Sequence, residues 1–359
     1  MPKVKSDIVI PMQSVALTGI RSMRLVDLPE PEIRSEQDVL LQVGVVGVCG
    51  SDVHYYTTGR IGSQVVHYPF CVGHEFSATV LAIGGAVTRV KIGDRVAVDP
   101  AMPCHACDQC RAGRPHTCRK LRFLGCPGQA EGCLCERIVM PGECCFLLRP
   151  GSSLEAAALI EPLSVGLYAV RMAQLSPPAR IAVLGAGPIG RCVLAVARHN
   201  GVAQVYATDR VDARLDAAGR AGADWVGNPD TGDVVSEMLV REPMQLDCVF
   251  ECCGRQEALD QAVRLLKPGG RLVLVGIPEV ERVSFPIDEL RRREIAIVNI
   301  RRQNECMQPA IDLIECDGLA LAGLITHSFT LDRTPDAFDL VSRYADGVIK
   351  AIVRVSGER

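Results

Sequence analysis

The sequence predicts an α/β protein of two domains, a barrel-like β-rich region followed by a doubly wound parallel sheet. Three observations predict it. A chain of 359 residues is long enough for about two cores. Short β-like runs broken by turns fill the first part, among them Asp38-Val39-Leu40-Leu41-Gln42-Val43 and Val45-Val46-Gly47-Val48. From Ile181 onward, apolar strands alternate with helical stretches, the rhythm of a parallel sheet covered by helices.

Taken in order, the β-rich region carries the reactive side chains. Cys49-Gly50-Ser51-Asp52-Val53-His54-Tyr55 follows an apolar strand with turn-forming residues, and reads as a loop that crowds several reactive groups together. Val72-Gly73-His74-Glu75-Phe76 sets an imidazole beside a carboxylate before the β-rich run Ser77 to Gly84. Zinc accepts sulfur, nitrogen and carboxylate oxygen alike, so His74 and Glu75 are candidate ligands, whereas Cys49 with His54 reads on its own as a buried thiol and a surface imidazole. Gly93-Asp94-Arg95-Val96-Ala97-Val98 reads as a turn opening a strand, with a structural role only.

The most specific short pattern is Cys104-His105-Ala106-Cys107-Asp108-Gln109-Cys110 with Cys118. The two short gaps let a tight loop wrap three sulfurs around one ion, and Gly113 and Pro115 suit the longer excursion to the fourth. Four thiolates leave no open position for substrate, so a zinc held here is structural. An iron–sulfur cluster is the other use of four thiolates, but the loop lies in no ferredoxin-like context. Cys126, Cys133, Cys135, Cys144 and Cys145 have no spacing that suggests a second closed site and read as free thiols. Leu159-Ile160-Glu161-Pro162-Leu163 then places a carboxylate in an apolar stretch. Burying it without a partner would cost several kcal/mol, so Glu161 requires a cation, either a metal or an arginine.

The second region opens on Ile181-Ala182-Val183-Leu184 and Gly185-Ala186-Gly187-Pro188-Ile189-Gly190, a strand handing over to a helix that ends near Gly201. Val205-Tyr206-Ala207-Thr208 then closes on Asp209, about 20 residues past the glycines, as a dinucleotide-binding β-α-β unit requires. Gly185, Gly187 and Gly190 let the backbone turn sharply and approach a pyrophosphate at the helix N-terminus, while Asp209 accepts hydrogen bonds from a ribose diol. Beyond it come Leu246 to Glu251, a helical stretch from Gln256 to Leu266, a Lys267-Pro268-Gly269-Gly270 break, and Arg271 to Gly276. The strand ends at Cys252-Cys253-Gly254 and Gly276-Ile277-Pro278 fall at the carboxyl edge of the sheet, where such folds hold ligands. Arg291-Arg292-Arg293 reads as a solvated helix face, and Ile295 to Ile300 as the last strand of this sheet. The remaining residues, from Arg301 on, read as short helices and a strand returning to the first domain.

Composition excludes several classes. With a net charge of −3 there is no basic excess, so nucleic acid is not expected as a partner. No stretch reaches the roughly 18 uncharged apolar residues of a membrane span, and the N-terminus has no signal-peptide core. The expectation is a cytoplasmic protein without membrane contact. Seventeen cysteines in a chain this long point to metal ligation rather than to a disulfide framework.

On these residues the sequence resembles the zinc-containing medium-chain dehydrogenase/reductase family, most closely its sorbitol (polyol) dehydrogenase branch. The motifs are Gly47 to Tyr55, Gly73-His74-Glu75, the four-cysteine lobe, Ile160 to Gly166, and the glycine turn with Asp209. The resemblance implies a GroES-like catalytic domain from residues 1–160 and 302–359, with a Rossmann NAD-binding domain from residues 161–301 between. By resemblance, Cys49 and His74 ligate a catalytic zinc with Glu75 or Glu161 as third protein ligand, and Cys104, Cys107, Cys110 and Cys118 hold a structural zinc. Ser51 and His54 match a proton relay, and Tyr55 a substrate-contacting position. Ile189, Asp209, Arg214, Val275, Gly276, Ile277, Asn299, Ile300 and Arg301 match cofactor-binding positions. Arg301 and Glu161 also face the reaction. The implied activity moves a proton outward through Ser51 and His54 and a hydride to NAD, oxidising a secondary hydroxyl of a polyol to a ketose. A sugar acid such as an aldonate is the alternative substrate. The family is commonly dimeric or tetrameric, so a homo-oligomer is expected. Two departures stand out: the polyol branch often lacks a complete structural lobe, and it typically shows tyrosine where this chain has Arg302.

Overall fold

In the computed structural model, residues 11–319, 321 and 323–356 are described. The β-rich part is built on a seven-stranded sheet whose long central strand, Asp38–Gly47, pairs antiparallel with Glu75–Ile83 on one side and Lys350–Arg354 on the other. Arg95–Val98 and Cys145–Leu147 extend it beyond Glu75–Ile83, and Arg137–Pro141 also pairs with the central strand. A smaller three-stranded sheet of Ser22–Leu28, Met12–Gly19 and Phe70–Cys71 closes over a shared core that includes Val15, Leu41, Val46, Phe76 and Phe338. Strand Lys350–Arg354 thus returns from the far end of the sequence.

The second unit is a six-stranded parallel sheet. Numbered in chain order within that sheet, the strands lie 3-2-1-4-5-6: Trp225–Gly227, Gln204–Thr208, Arg180–Leu184, Leu246–Glu251, Leu266–Leu274 and Ala296–Asn299. The order reverses between Arg180–Leu184 and Leu246–Glu251, which opens a crevice at their carboxyl ends. Helix Pro188–His199 buries Cys192, Val193, Leu194, Val196 and Ala197 against this sheet, and helix Ile160–Ala173 shares the same core. Because Ile160–Ala173 runs beside both cores, its first turn carries Glu161 to the boundary between them.

Three local expectations differ from what the chain does. The segment after Cys49 is not a loop but helix Gly50–Thr58, closed by Gly59 in the left-handed region (φ 72°), whose N–H donates to the Tyr55 carbonyl. Turn-forming Gly50, Ser51 and Asp52 are also good first-turn residues, and here Cys49 remains extended and hands over directly to a helix. The break at Lys267–Gly270 is absorbed into strand Leu266–Leu274 as a shift of register, Leu246 pairing with Leu266 but Cys248 with Arg271. Within the basic run, Arg291 and Arg292 face solvent, whereas Arg293 turns inward to donate to the Val263 carbonyl and pair with Glu289.

Candidate active site

Strand register brings the first cluster together. Gly47 is paired with Glu75, so Cys49, two residues past Gly47, stands near His74, one residue before Glu75. A Cβ at position 47 would lie 2.4 Å from Glu75 Oε2, so a side chain there would push the carboxylate off the position at which Lys350 holds it. The donor atoms of Cys49, His74 and Glu75 all lie within 4.8 Å of one another. His74 and Glu75 are buried, and Cys49 is half-buried.

The surroundings hold these donors in place. Lys350, 1% exposed, donates to Glu75 Oε2 at 2.5 Å and to the Val48 carbonyl at 3.1 Å. Asp52 accepts from the Gly73 N–H, and its Oδ1 lies 3.3 Å from His74 Nδ1, off the line of a hydrogen bond. Burial pushes the His74 imidazole down, but Asp52 and Cys49 outweigh it and hold the ring well above its usual range. Asp52 Oδ2 and His74 Nδ1 are buried without hydrogen-bond partners. Thiol, imidazole and carboxylate converging in a buried, electron-rich pocket form a donor set that fits zinc.

Around this centre, Ser51 Oγ lies 3.3 Å from Cys49 Sγ, and Tyr55 Oη donates to Gln64 Oε1 at 3.1 Å. Burial holds His54 below its usual range, against the opposing pull of Glu279. Glu161, on the first turn of its helix, lies outside the three-donor group yet feels both of its neighbours. Burial pushes its carboxyl up to about 7, with His74 pulling the other way and Glu75 and Asp99 adding to the rise.

The four-cysteine lobe closes on a second point. Cys104, Cys107, Cys110 and Cys118 all bring sulfur within 4.8 Å of one another, with Cys107 and Cys110 at 3.5 Å and Cys104 and Cys118 at 3.4 Å. Helix Asp108–Arg111 and a 3₁₀ turn headed by Pro115 shape the loop between them. Backbone N–H groups of Cys110 and Arg119 pull the Cys107 thiol down to about 6, the thiolate being the form that binds a metal. Among the described residues these are the two clusters of such donors. Cys126, Cys133, Cys135, Cys144 and Cys145 are buried free thiols.

At the carboxyl edge of the parallel sheet, Gly185 adopts φ 101° and its N–H donates to the Thr208 carbonyl. A Cβ at Gly190 would lie 1.9 Å from the Gly185 carbonyl oxygen, so the turn can close only with glycine there. Ile189 lies beside Gly190 on the first turn of the helix. Asp209 accepts from Ala186 N–H at 2.8 Å and Val211 N–H at 2.9 Å, which aims its carboxylate at the glycine turn. Val275, Gly276 and Ile277 leave strand Leu266–Leu274, and Asn299, Ile300 and Arg301 leave Ala296–Asn299, at the same edge. Arg214 is held differently: it is buried, donates through Nε to the Val348 carbonyl and stacks over Tyr344, leaving Nη1 near Gly187. A glycine cradle without Cβ atoms and a carboxylate beside it fit a dinucleotide.

Comparison with known proteins gives the family. Residues 35–150 match the alcohol dehydrogenase GroES-like domain and residues 188–316 the zinc-binding dehydrogenase domain. The sorbitol dehydrogenase of Bacillus subtilis (strain 168) is 34% identical over 343 residues, covering 95% of this chain and 97% of that protein. The chain belongs to the zinc-containing medium-chain dehydrogenase/reductase family. A probable D-xylulose reductase A of Aspergillus clavatus is 35% identical over 331 residues, 90% of this chain and 92% of that protein. Among solved structures, an Escherichia coli oxidoreductase/dehydrogenase of unknown specificity superposes with TM-score 0.91 at 27% identity, covering 97% of this chain and 100% of that one. As a member of this family the chain is an oxidoreductase that uses zinc and a nicotinamide cofactor.

Several residues of the site escape motif reading. Lys350 lies in the apolar run Val348-Ile349-Lys350-Ala351-Ile352-Val353, and like Glu161 it is a charge in an apolar stretch that burial obliges to find a partner. Asp52 is hidden among turn-forming residues. Phe123, whose ring lies 5.2 Å from that of His74, carries no sequence signal at all.

Proposed function

We propose that the chain oxidises a secondary hydroxyl of a polyol to a ketose with NAD as hydride acceptor. The observation that carries this reading is the convergence of Cys49, His74 and Glu75 in a family whose similar members are named sorbitol dehydrogenase and D-xylulose reductase. Zinc bound there supplies Lewis acidity that makes a carbinol hydroxyl acidic near neutral pH, and NAD supplies the hydride acceptor.

Cys49, His74 and Glu75 are the proposed catalytic-metal ligands. Lys350 donates to Glu75 Oε2 and would steady that carboxylate as a ligand, while Glu161 acts as a positioning carboxylate beside it. Ser51 Oγ, close to the Cys49 sulfur, takes the substrate proton, and His54, kept neutral by burial, passes it to solvent. Tyr55 and Arg301 border the substrate. Gly185, Gly187, Ile189, Gly190, Asp209, Val275 to Ile277 and Asn299 to Arg301 hold the dinucleotide, with Arg214 at its margin. Asp209 favours NAD, since a carboxylate repels a ribose 2′-phosphate. Cys104, Cys107, Cys110 and Cys118 hold the structural zinc.

In this reading residues 1–160 and 302–359 form the catalytic domain and 161–301 the NAD domain. The chain assembles as a homo-oligomer through strand Ala296–Asn299, which closes one edge of the parallel sheet with Ile297 partly exposed. No described helix is long and apolar enough to cross a membrane. All seventeen cysteines are free, which suits the reducing cytoplasm. The test is a panel of polyols, aldonates and sugar phosphates scored by NADH absorbance. Polyol-dependent NADH formation abolished by Cys49→Ala supports the reading, and its absence across the panel overturns it.

A further inference from the structure

Arg302 has a setting that neither zinc nor NAD explains. Its guanidinium carbon lies 3.3 Å from the centroid of Phe123, whose ring in turn lies 5.2 Å from His74, so one aromatic ring separates Arg302 from a candidate metal ligand. Its backbone is in the left-handed region (φ 55°), uncommon for a non-glycine residue and a frequent feature of functional sites. Nη1 is buried without a hydrogen-bond partner, and among the described residues Arg302 forms no ion pair. The nearby acids do not relieve it: Asp99 accepts instead from Ala101 N–H at 2.9 Å and Gln303 Nε2 at 2.8 Å, and Glu161 adjoins the metal ligands. Even with burial pulling it down to about 10, Arg302 stays a cation at neutral pH.

A buried cation with an unused N–H is costly unless something pairs with it. The adjacent residue Arg301 borders a cavity of about 390 Å³ against the four-cysteine lobe, with His116, Cys118, Arg119 and Gln129, and Gln129 Oε1 is likewise buried without a partner. Arg302 therefore presents an unused forked cation across Phe123 from His74, and Gln129 a lone amide acceptor beside Arg301. A guanidinium matches an oxyanion, whereas an amide oxygen matches a hydroxyl. A neutral polyol would satisfy the second and leave the first unpaired.

We propose that the substrate is a polyhydroxylated anion, a chain of hydroxyl-bearing carbons ending in a carboxylate or phosphate that Arg302 binds with Arg301 behind it. This rests on the reading that the cleft oxidises polyols, and narrows it to those carrying an oxyanion. Arg302 is then a specificity residue: it holds the end of the substrate remote from the carbinol under oxidation, and so fixes which hydroxyl meets the metal.

The test compares a hexitol, epimeric hexonates and a hexitol phosphate with the zinc-loaded protein and NAD. The wild type should turn over a hexonate or the phosphate with kcat/KM about 10- to 100-fold above the hexitol, the range expected for a charge-assisted contact. Which anion wins distinguishes carboxylate from phosphate. Added salt should lower kcat/KM for the anion and not for the hexitol. In Arg302→Gln the anion-to-neutral ratio should collapse toward one, mainly through KM, and Arg302→Lys should restore part of it. A purely structural role would lower both values together and leave the ratio intact. Should Arg302→Gln fold poorly, the wild-type ratio and its salt dependence decide alone. A hexitol turned over as well as the anions overturns the inference but keeps the polyol reading. NADH formation from none of these substrates overturns the reading beneath it, and the absence of tighter binding of any anion to the NADH complex than of the hexitol then overturns the inference too.

Discussion

Replacing Lys350 with methionine removes one charge from a pair in which both partners are 1% exposed. Methionine keeps most of the side-chain length, so the change is electrostatic more than steric. Breaking a buried pair by deleting one partner costs about 3–5 kcal/mol, because the remaining charge stays buried and unpaired. In the zinc-free protein the orphan is Glu75, crowded further by Glu161, and the Val48 carbonyl also loses its donor. At roughly 2–4 °C per kcal/mol for a domain of this size, Tm should fall by about 10 °C. On the proposal that Glu75 ligates zinc, the ion would give it a second cation, and the loss should shrink when the protein is loaded. Thermal and urea unfolding of the wild type, Lys350→Met, Glu75→Gln and the double variant, with and without zinc, measures both effects. The double variant should be more stable than the sum of the single losses implies. A zinc-free Lys350→Met that loses less than about 1 kcal/mol, or singles that simply add, would refute the assignment of Lys350 as the counter-ion of Glu75.

Elemental analysis should find two zinc ions per chain, with Cys49→Ala losing one and all turnover, and Cys107→Ala losing the other and chiefly Tm. One zinc in the wild type would contradict the two-centre arrangement. Asp209→Ala should raise kcat/KM with NADP relative to NAD, and a wild type that already prefers NADP would show that Arg214 and the residue after Asp209, Arg210, which pairs with Asp230, outweigh the carboxylate. Glu161 gives a pH signature. Its carboxyl is raised from 4.5 to about 7 in the zinc-free fold, so in that window the native state binds more protons than the unfolded one and stability falls as pH rises. Glu161→Gln should flatten that slope in zinc-free unfolding curves, and an unchanged slope would assign it to another group.

Much of this molecule is legible in its sequence wherever chemistry depends on neighbours in the chain. The four-cysteine lobe spans Cys104 to Cys118, and the glycine turn lies within one strand–helix junction, so spacing alone reveals each. The catalytic cluster is harder, because Cys49 and His74 meet only through the pairing of Gly47 with Glu75. Periodicity misses the helix at Gly50–Thr58, since the residues that favour a turn also favour a helix start. The partners supplied from far away remain hidden: Lys350 for Glu75, and Phe123 between His74 and Arg302. No local pattern records that a charge 275 positions along will sit beside a carboxylate.

That separation has a bearing on how the protein comes into being. The strand that brings Lys350 to the metal centre pairs with Asp38–Gly47 only after nearly the whole chain has been made. A ribosome that has delivered Cys49, His74 and Glu75 has not yet delivered the cation that steadies them. Closing a loop of this length is entropically slow, though the added cost grows only with the logarithm of its length. The four-cysteine lobe has all its sulfurs once Cys118 has emerged, whereas the Cys49, His74 and Glu75 cluster gains its neighbouring ammonium only with Lys350.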